Sequence, residues 1–393
     1  MENPRNFFQR HWKLILITTG IALLAYILLF RQLGGLTGAY STQELASQTQ
    51  ASSLHDIYSN PVNAPYKLLV WTGLKLGHHS LLITRIAAAA IAVGVATLFY
   101  WVAVHWYSKR VALLSSILFI GSSGFLHIGR YGTALILQMA TLLLIACVLL
   151  YRRARRETPV TYLIVVLLAL CLYVPGIFWF ELLGLALLHK HIWRLFNRLG
   201  WLHGVAILTL GIGITIPILW ASIQNPAVLR EILALPAHVP TVASLWQQAK
   251  ELGGAIVYRG YYSPEFWLYG SPLLNTAEMT LFLAGVFVLI QTPRLRKDHY
   301  IVGAMLVSIA LILLGGSATI AMLIPLMYLV IAGGIYYLLD QWLTIFPRNP
   351  IARGLGVGLI CITASFSAYY HVQAYYVAWP QAPETEQVYT IKS

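Results

Sequence analysis

Residues Leu81–Phe119 read LLITRIAAAAIAVGVATLFYWVAVHWYSKRVALLSSILF. From Leu81 to Trp106 the only formally charged side chain is Arg85. A surface helix of a soluble protein would carry a polar stripe along this length, and this run has none. About 20 apolar residues cross the hydrocarbon of a bilayer as a helix, whose backbone satisfies its own hydrogen bonds there. The polar turn Tyr107-Ser108-Lys109-Arg110 then leads straight into a second apolar run. Two long runs joined by a short basic turn set the fold class, an all-α polytopic integral membrane protein.

Working outward from this hairpin, eleven spans can be drawn at 13–30, 81–106, 111–128, 134–151, 160–175, 177–190, 202–221, 276–292, 299–316, 319–339 and 354–376. The composition agrees: 59% of the 393 residues are hydrophobic and 10% charged, against about a quarter charged in soluble domains. The first run, Lys13 to Phe30, lacks a small-residue cleavage site and reads as an uncleaved span. Residues 1–393 form a single transmembrane domain.

A net charge of +13 invites a nucleic-acid reading, but the charge is dispersed in small clusters between apolar runs. Alternate connections hold Arg5/Arg10/Lys13, Lys109/Arg110, Arg152/Arg153/Arg155/Arg156, Lys190/Arg194/Arg198, Arg294/Arg296/Lys297 and Arg348/Arg353, 17 of the 26 basic residues. Short basic loops stay cytoplasmic, so the N-terminus is expected inside the cell (plasma or inner) membrane and the C-terminus outside it. The partners implied are membrane lipid and no nucleic acid.

The other side carries two long connections, 31–80 and 222–275, which hold Glu44, Asp56, Glu231, Glu251 and Glu265. Connections this long usually have structure and work to do. Within the first, YKLLVWTGLKL places Tyr66, Leu69, Val70, Gly73 and Leu74 on one helical face, with Lys67, Trp71 and Lys75 opposite. That pattern suits a helix in the membrane interface, its lysines reaching toward headgroups.

Soluble-enzyme motifs are absent: no phosphate-binding glycine loop, no nucleophile elbow, no paired-cysteine metal site. Cys147, Cys171 and Cys361 all fall in apolar runs and read as buried thiols. His78-His79 and His55-Asp56 are weak metal pairs, because adjacent side chains diverge on a helix. A divalent cation stays possible, with no ligand set to name. Glu181, in FWFELLG, is the clear carboxylate inside a span, and such a group is either functional or a structural hydrogen-bonding partner. The remaining polar candidates are Glu44, Asp56, Arg85, Arg130, Arg230 and Arg259 at span ends. A transporter reading is weakened by the lack of an internal repeat.

In order and topology these segments resemble the lipid-carrier-dependent glycosyltransferases of the GT-C fold, the protein O-mannosyltransferases and aminoarabinose transferases. NAPYKLLVWTGLKLG (63–77) and the 81–119 hairpin resemble that family's Pro-aromatic segment and its Arg-bearing second span. FLHIGRYGTALILQMATLLL (125–144) is similar to its Arg-aromatic junction, and YRGYYSPEFWLYGSPLLN (258–275) to its late outer segment. IPLMYLVIAGGIYYLL (324–339) and YYVAWPQAPET (375–385) look like further family segments. The resemblance implies a polyprenyl-phosphate sugar donor, a protein, lipid or glycan acceptor, and chemistry on the extracytoplasmic face. Members carry an Asp-Glu pair after the first span, the Asp acting as base. Here STQELAS puts Gln43 at the Asp position and leaves Glu44, and Arg130-Tyr131-Gly132-Thr133 lacks the second acid common at that junction.

Displacing a lipid phosphate from an anomeric carbon needs a base for the acceptor hydroxyl and cations for the leaving phosphate. Glu44 is the expected base, with Asp56 as its substitute. Arg130 and Arg259 are the expected phosphate ligands, with Arg85, Tyr131 and Glu181 in the substrate site. Each arginine has a competing reading as an interface anchor, and Arg85 in particular reads as structural. A non-catalytic member that binds a lipid-linked glycan or a partner is the rival, and a transporter the third reading.

Overall fold

The computed structural model describes residues 4–77, 80–151, 158–258, 263–291 and 296–392. His78, His79, Arg152, Arg153, Arg155, Arg156, Arg259 and Arg294 lie outside the described residues. The chain runs through α1 (Pro4–Phe30), α2 (Thr42–Thr49), α3 (Leu54–Ser59), α4 (Ala64–Lys75), α5 (Leu82–Trp106) and α6 (Lys109–Gly121). It continues with α7 (Ser123–Arg130), α8 (Ile136–Tyr151), α9 (Thr158–Cys171), α10 (Ile177–Leu199), α11 (Trp201–Gln224) and α12 (Pro226–Ile232). The last third holds α13 (Val242–Val257), α14 (Thr276–Gln291), α15 (Arg296–Leu314), α16 (Leu323–Ile345), α17 (Pro350–Gln373) and α18 (Pro383–Val388). Among the described residues, extended pairing is confined to one bridge, between Tyr40 and Ile391.

Every apolar run drawn from the sequence falls mainly on helix. Five helical stretches are long and apolar enough to cross a membrane: Leu82–Trp106, Trp201–Gln224, Lys297–Leu314, Ile320–Ile345 and Pro350–Gln381. The run expected as one span at 111–128 is instead two helices, α6 and α7, meeting at 59°. Ser122 breaks it: its backbone is extended (φ −65°, ψ 141°) and its hydroxyl accepts from Phe125 N, capping α7 while α6 ends. Four shorter apolar helices complete the set, Ile15–Phe30, Ile136–Val148, Pro159–Cys171 and Thr276–Gln291. The chain is thus a multi-pass membrane protein by length and apolarity, and eleven crossings remain a proposal.

The core is built around α16, buried along most of its length. Lipid tails are as apolar as leucine, so helices in a membrane associate through close packing of small residues. At Gly334 an added Cβ would fall 2.0 Å from Leu281 O, and at Gly285 2.0 Å from Val330 O. Only glycine lets α14 and α16 come this close.

One end of the bundle gathers the polar segments. Asn63 N donates to Tyr173 O (2.8 Å) and Gly176 N to Ile232 O (2.8 Å), tying α4 and α12 to the α9–α10 turn. Trp379 Nε1 donates to Pro264 O (3.1 Å) and Tyr389 OH to Glu265 O (2.5 Å), so the chain's last segment holds the second long connection. At the opposite end Lys297 Nζ donates to Trp106 O (2.9 Å).

α4 forms where the periodicity places it, and of the face drawn there Tyr66, Val70 and Gly73 are buried while Leu69 is exposed. Its outer face differs from expectation. Lys67 is buried, with Nζ donating to Asn60 O (2.9 Å), while its neighbour Leu68 is exposed. The bond to Asn60 holds the amine inside, where a headgroup-facing lysine was expected. Burial pulls the Lys67 amine down to about 8, and Glu231 opposes the fall. A lysine depressed in the fold weakens stability while both states are charged. Between pH 8 and the ordinary lysine value of 10.5 the unfolded chain holds more proton, so stability climbs with pH. In Lys67→Met this increment should vanish, so wild type gains on the variant in melting temperature from pH 8 to 10.5. A constant difference between the two across that range would mean that Lys67 is solvated.

Candidate functional site

Glu44 sits in the first turn of α2. Ser41 caps that helix by accepting from Glu44 N, and Glu44 Oε2 accepts from Ser41 N (3.0 Å), a reciprocal capping box. The same carboxylate receives a fork from Arg85 on α5: Nε to Oε1 at 2.7 Å and Nη2 to Oε2 at 2.9 Å. Gly132 N donates to Oε1 at 3.0 Å. Each oxygen therefore accepts two N–H groups, and Glu44 has no exposed surface. A Cβ at position 132 would lie 2.9 Å from Glu44 Oε1 and 2.3 Å from Thr84 Oγ1, so glycine is required there. This is the geometry of a strut. A proton acceptor needs a free lone pair within reach of the acceptor hydroxyl, and in this structure Glu44 offers neither surface nor reach.

Arg85 is heavily engaged too. It donates to Leu33 O (3.2 Å) and Ala39 O (2.9 Å), and Tyr40 lies under its guanidinium with the ring centre 4.2 Å away. The structural reading of Arg85 fits these contacts.

Arg130, at the end of α7, behaves differently. Its Nη1 donates to Leu28 O (2.8 Å), Leu29 O (3.0 Å) and Tyr376 OH (2.8 Å), and so meets the carbonyl end of α1. The rings of Tyr375 and Tyr376 flank the guanidinium at 5.3 and 5.0 Å. One turn earlier, His127 is buried, and neither ring nitrogen has a hydrogen-bond partner among the described residues. Its ring meets Tyr375 and Trp379 edge-on at 4.6 and 4.7 Å. Buried polar atoms are rarely left unpaired without a reason. Arg85, His127, Arg130, Tyr131, Tyr375 and Trp379 line one narrow cavity of about 10 Å³, room for about one water. Sequence reasoning missed His127, though its place three residues before Arg130 puts both on one helical face.

Tyr131 OH lies 3.2 Å from Ser41 Oγ, and its ring packs beside Phe266 at 5.7 Å. Burial raises the Tyr131 and Tyr389 hydroxyls above their ordinary value, so both stay protonated in the pocket wall. The remaining expectations are dispersed. Asp56 lies on α3, away from the pocket lining, and accepts from Ser53 Oγ (2.6 Å) and Ser52 Oγ (2.9 Å). Those hydroxyls, Ser53 first, hold its carboxyl below the usual range. Glu181 is on α10, also outside that lining, and its Oε1 has no hydrogen-bond partner among the described residues. Gln43 points Nε2 toward Glu265 Oε1 at 3.5 Å, while Ser263 Oγ donates to Glu265 Oε2 at 2.9 Å.

A second polar cluster is sealed in the core. His371 Nε2 lies 2.7 Å from Glu278 Oε2, Ser123 Oγ lies 3.1 Å from His371 Nδ1, and Tyr328 OH donates to Glu278 Oε1 at 3.1 Å. The order Ser–His–Glu resembles a nucleophile relay, but all four side chains are buried. The cluster ties α7, α14, α16 and α17. Among the described residues, no three His, Cys, Asp or Glu side chains gather as a metal site.

The fold and the pocket define an all-helical membrane protein with a polar site at one end of the bundle. Its fold is that of the GT-C glycosyltransferases. The structure of ArnT from Cupriavidus metallidurans in the apo state matches with TM-score 0.55 at 14% identity, over 97% of this chain and 78% of that one. ArnT from the same organism bound to undecaprenyl phosphate matches with TM-score 0.56 at 14% identity, over 96% and 78%. The Archaeoglobus fulgidus oligosaccharyltransferase, tethered to an acceptor peptide with the NVT sequon, matches with TM-score 0.52 at 13% identity, over 95% of this chain and 56% of that one. No protein-family model matches the sequence, and no curated protein matches it either.

The Glu44–Arg85 pair gives a direct test. Breaking a buried ion pair from one side leaves an uncompensated charge, so Arg85→Ala should destabilise the protein by about 3–5 kcal/mol. Glu44→Gln combined with Arg85→Met should cost clearly less, because no lone charge is left behind. Thermal unfolding in detergent measures both. An Arg85→Ala protein as stable as wild type would show that the pair is solvated.

Proposed function

We propose that this chain is a membrane glycosyltransferase that moves a sugar from a polyprenyl-phosphate-linked donor to an acceptor hydroxyl on the extracytoplasmic face. The observation that carries the reading is the convergence of Arg130 and the unpartnered His127 between aromatic rings, and a lipid phosphate enters there as those rings part. Two neighbours in fold support it, ArnT bound to undecaprenyl phosphate and the oligosaccharyltransferase tethered to an acceptor peptide. In this reading the eleven helical runs all cross the membrane. The N-terminus is cytoplasmic, and the connections 31–80 and 222–275 lie outside, as the basic clusters require.

The leaving group is a phosphate, so the site must stabilise negative charge as the glycosidic bond breaks. Arg130 supplies a fixed cation in a site with little water, and a His127 N–H can donate beside it. Arg259 precedes the segment that Trp379 and Tyr389 hold, and it is the second arginine of the proposal. Arg85, already neutralised by Glu44, shapes the wall. Tyr131 holds the rim through Ser41. Glu181 and Asp56 stand outside this constellation.

One observation favours the rival, a non-catalytic protein that binds a lipid-linked glycan or partner. The motif acid that remains, Glu44, is sealed, and its neighbour is the amide Gln43. Sugar transfer from a panel of lipid-linked donors by the purified protein separates the two readings, with turnover expected.

If Arg130 meets the phosphate, Arg130→Ala should weaken polyprenyl-phosphate binding by about 1.5–3 kcal/mol, the scale of hydrogen bonds to a charged group. Arg130→Lys should restore part of it, since lysine lacks the planar fork. Unchanged affinity in both variants would reduce Arg130 to a brace on α1. Orientation is checked separately, in intact cells, with impermeant thiol reagents. Cysteines at Thr49 and Thr241 should react, and one at Arg353 should not.

A further inference from the structure

The proposed reaction needs a proton acceptor, and Glu44 cannot reach an acceptor hydroxyl in this arrangement. We infer that Glu265, on the second long connection, is the general base, an inference that rests on the glycosyl-transfer reading. Three observations converge on it. Glu265 is half-buried, in contrast to sealed Glu44, so its carboxylate can meet a solute. Its backbone is held by two residues of the pocket wall, Tyr389 OH bonding Glu265 O at 2.5 Å and Trp379 Nε1 bonding Pro264 O at 3.1 Å. Its side chain is aimed by Ser263 Oγ on Oε2 (2.9 Å) and lies 3.5 Å from the amide of Gln43 on Oε1. The last contact is long for a hydrogen bond, so Oε1 keeps lone pairs to offer.

The other acids on these connections are engaged elsewhere. Asp56 carries two serine hydroxyls on α3, Glu251 accepts from Gln247 Nε2 (2.7 Å), and Glu231 acts on buried Lys67. Glu278 is sealed with His371 and Tyr328. Glu265 is the acid that the fold brings to α2 from a distant part of the chain, beside the residue where an acid is missing. An amide at position 43 suits this arrangement. A carboxylate there would face Glu265 across a few ångströms, and two like charges so close raise one another's proton affinity.

The step balances without a co-reactant. The acceptor hydroxyl oxygen bonds to the anomeric carbon as the bond from that carbon to the phosphate oxygen breaks. The bonding pair leaves with polyprenyl phosphate beside Arg130, and the hydroxyl proton passes to Glu265. A single displacement of this kind inverts the anomeric centre.

The experiment measures sugar transfer and polyprenyl-phosphate binding side by side on purified protein. Glu265→Gln should lower turnover by about 10²–10⁴-fold while leaving donor binding near the wild-type value. Glu251→Gln, a surface change, should leave both as they are. The decisive variant is Gln43→Asp with Glu265→Gln, which carries the carboxylate across the contact and should recover a measurable part of the turnover. A structural role for Glu265 predicts no such rescue. Wild-type turnover in Glu265→Gln overturns the inference, and so does a folded double variant that stays as inactive as Glu265→Gln. Donor binding by wild type with no turnover on any donor overturns the enzyme reading itself, and is distinct from both.

Discussion

The fork that Arg85 lays across Glu44 is the constraint on which this end of the molecule depends. It is buried on both sides, and it joins three things: the start of α2, the first turn of α5 and the turn after α7. Without it, Ser41 and Gly132 would lose their acceptor, and Tyr40 its cation. The cost of removing two charges from water is met by four N–H groups on one carboxylate. What the pair supplies is position. Ser41 is placed to hold Tyr131, and Tyr40 to form the bridge with Ile391 that brings the last segment of the chain over the pocket.

That segment gives the site its roof. Tyr375 and Trp379 enclose His127, Tyr376 meets Arg130 and the end of α1, and Tyr389 holds the backbone of Glu265. The pocket is therefore assembled from the first third of the sequence, between Leu33 and Tyr131, and from its last segment, Tyr375 to Tyr389. On a fold shared with ArnT and an oligosaccharyltransferase, the carboxylate of Glu44 is spent on architecture. Function on this scaffold is decided by where the remaining charged groups point, and the fold alone does not decide it.

Much of the architecture was legible in the sequence because a membrane imposes strong rules. Apolar runs gave the helices, and the lone Arg85 of the 81–106 run and the Arg130 junction both turned out to be at the pocket. The break at Ser122 was less legible, since a serine within an apolar run is compatible with a continuous helix until packing selects the cap. Lys67 was misread because the helical period fixes a face but cannot say which face meets the protein. Its amine found Asn60 O and turned inward. The sealing of Glu44 was hidden for a related reason. Its partners, Arg85 and Gly132, lie 41 and 88 residues away, and no local pattern announces them. Glu265 was visible as one acid of a loop, but its approach to Gln43 exists only in three dimensions.

The central claim is that Arg130 and His127 form a site for a lipid phosphate while Glu44 remains a strut. A structure of the full chain in a lipid nanodisc with a polyprenyl phosphate bound tests it most directly. The account predicts phosphate oxygens within hydrogen-bonding distance of Arg130 and a ring nitrogen of His127, with the Arg85 fork still closed on Glu44. A phosphate held elsewhere, with His127 still unpartnered, or an Arg85 fork opened to bind the lipid, would contradict it.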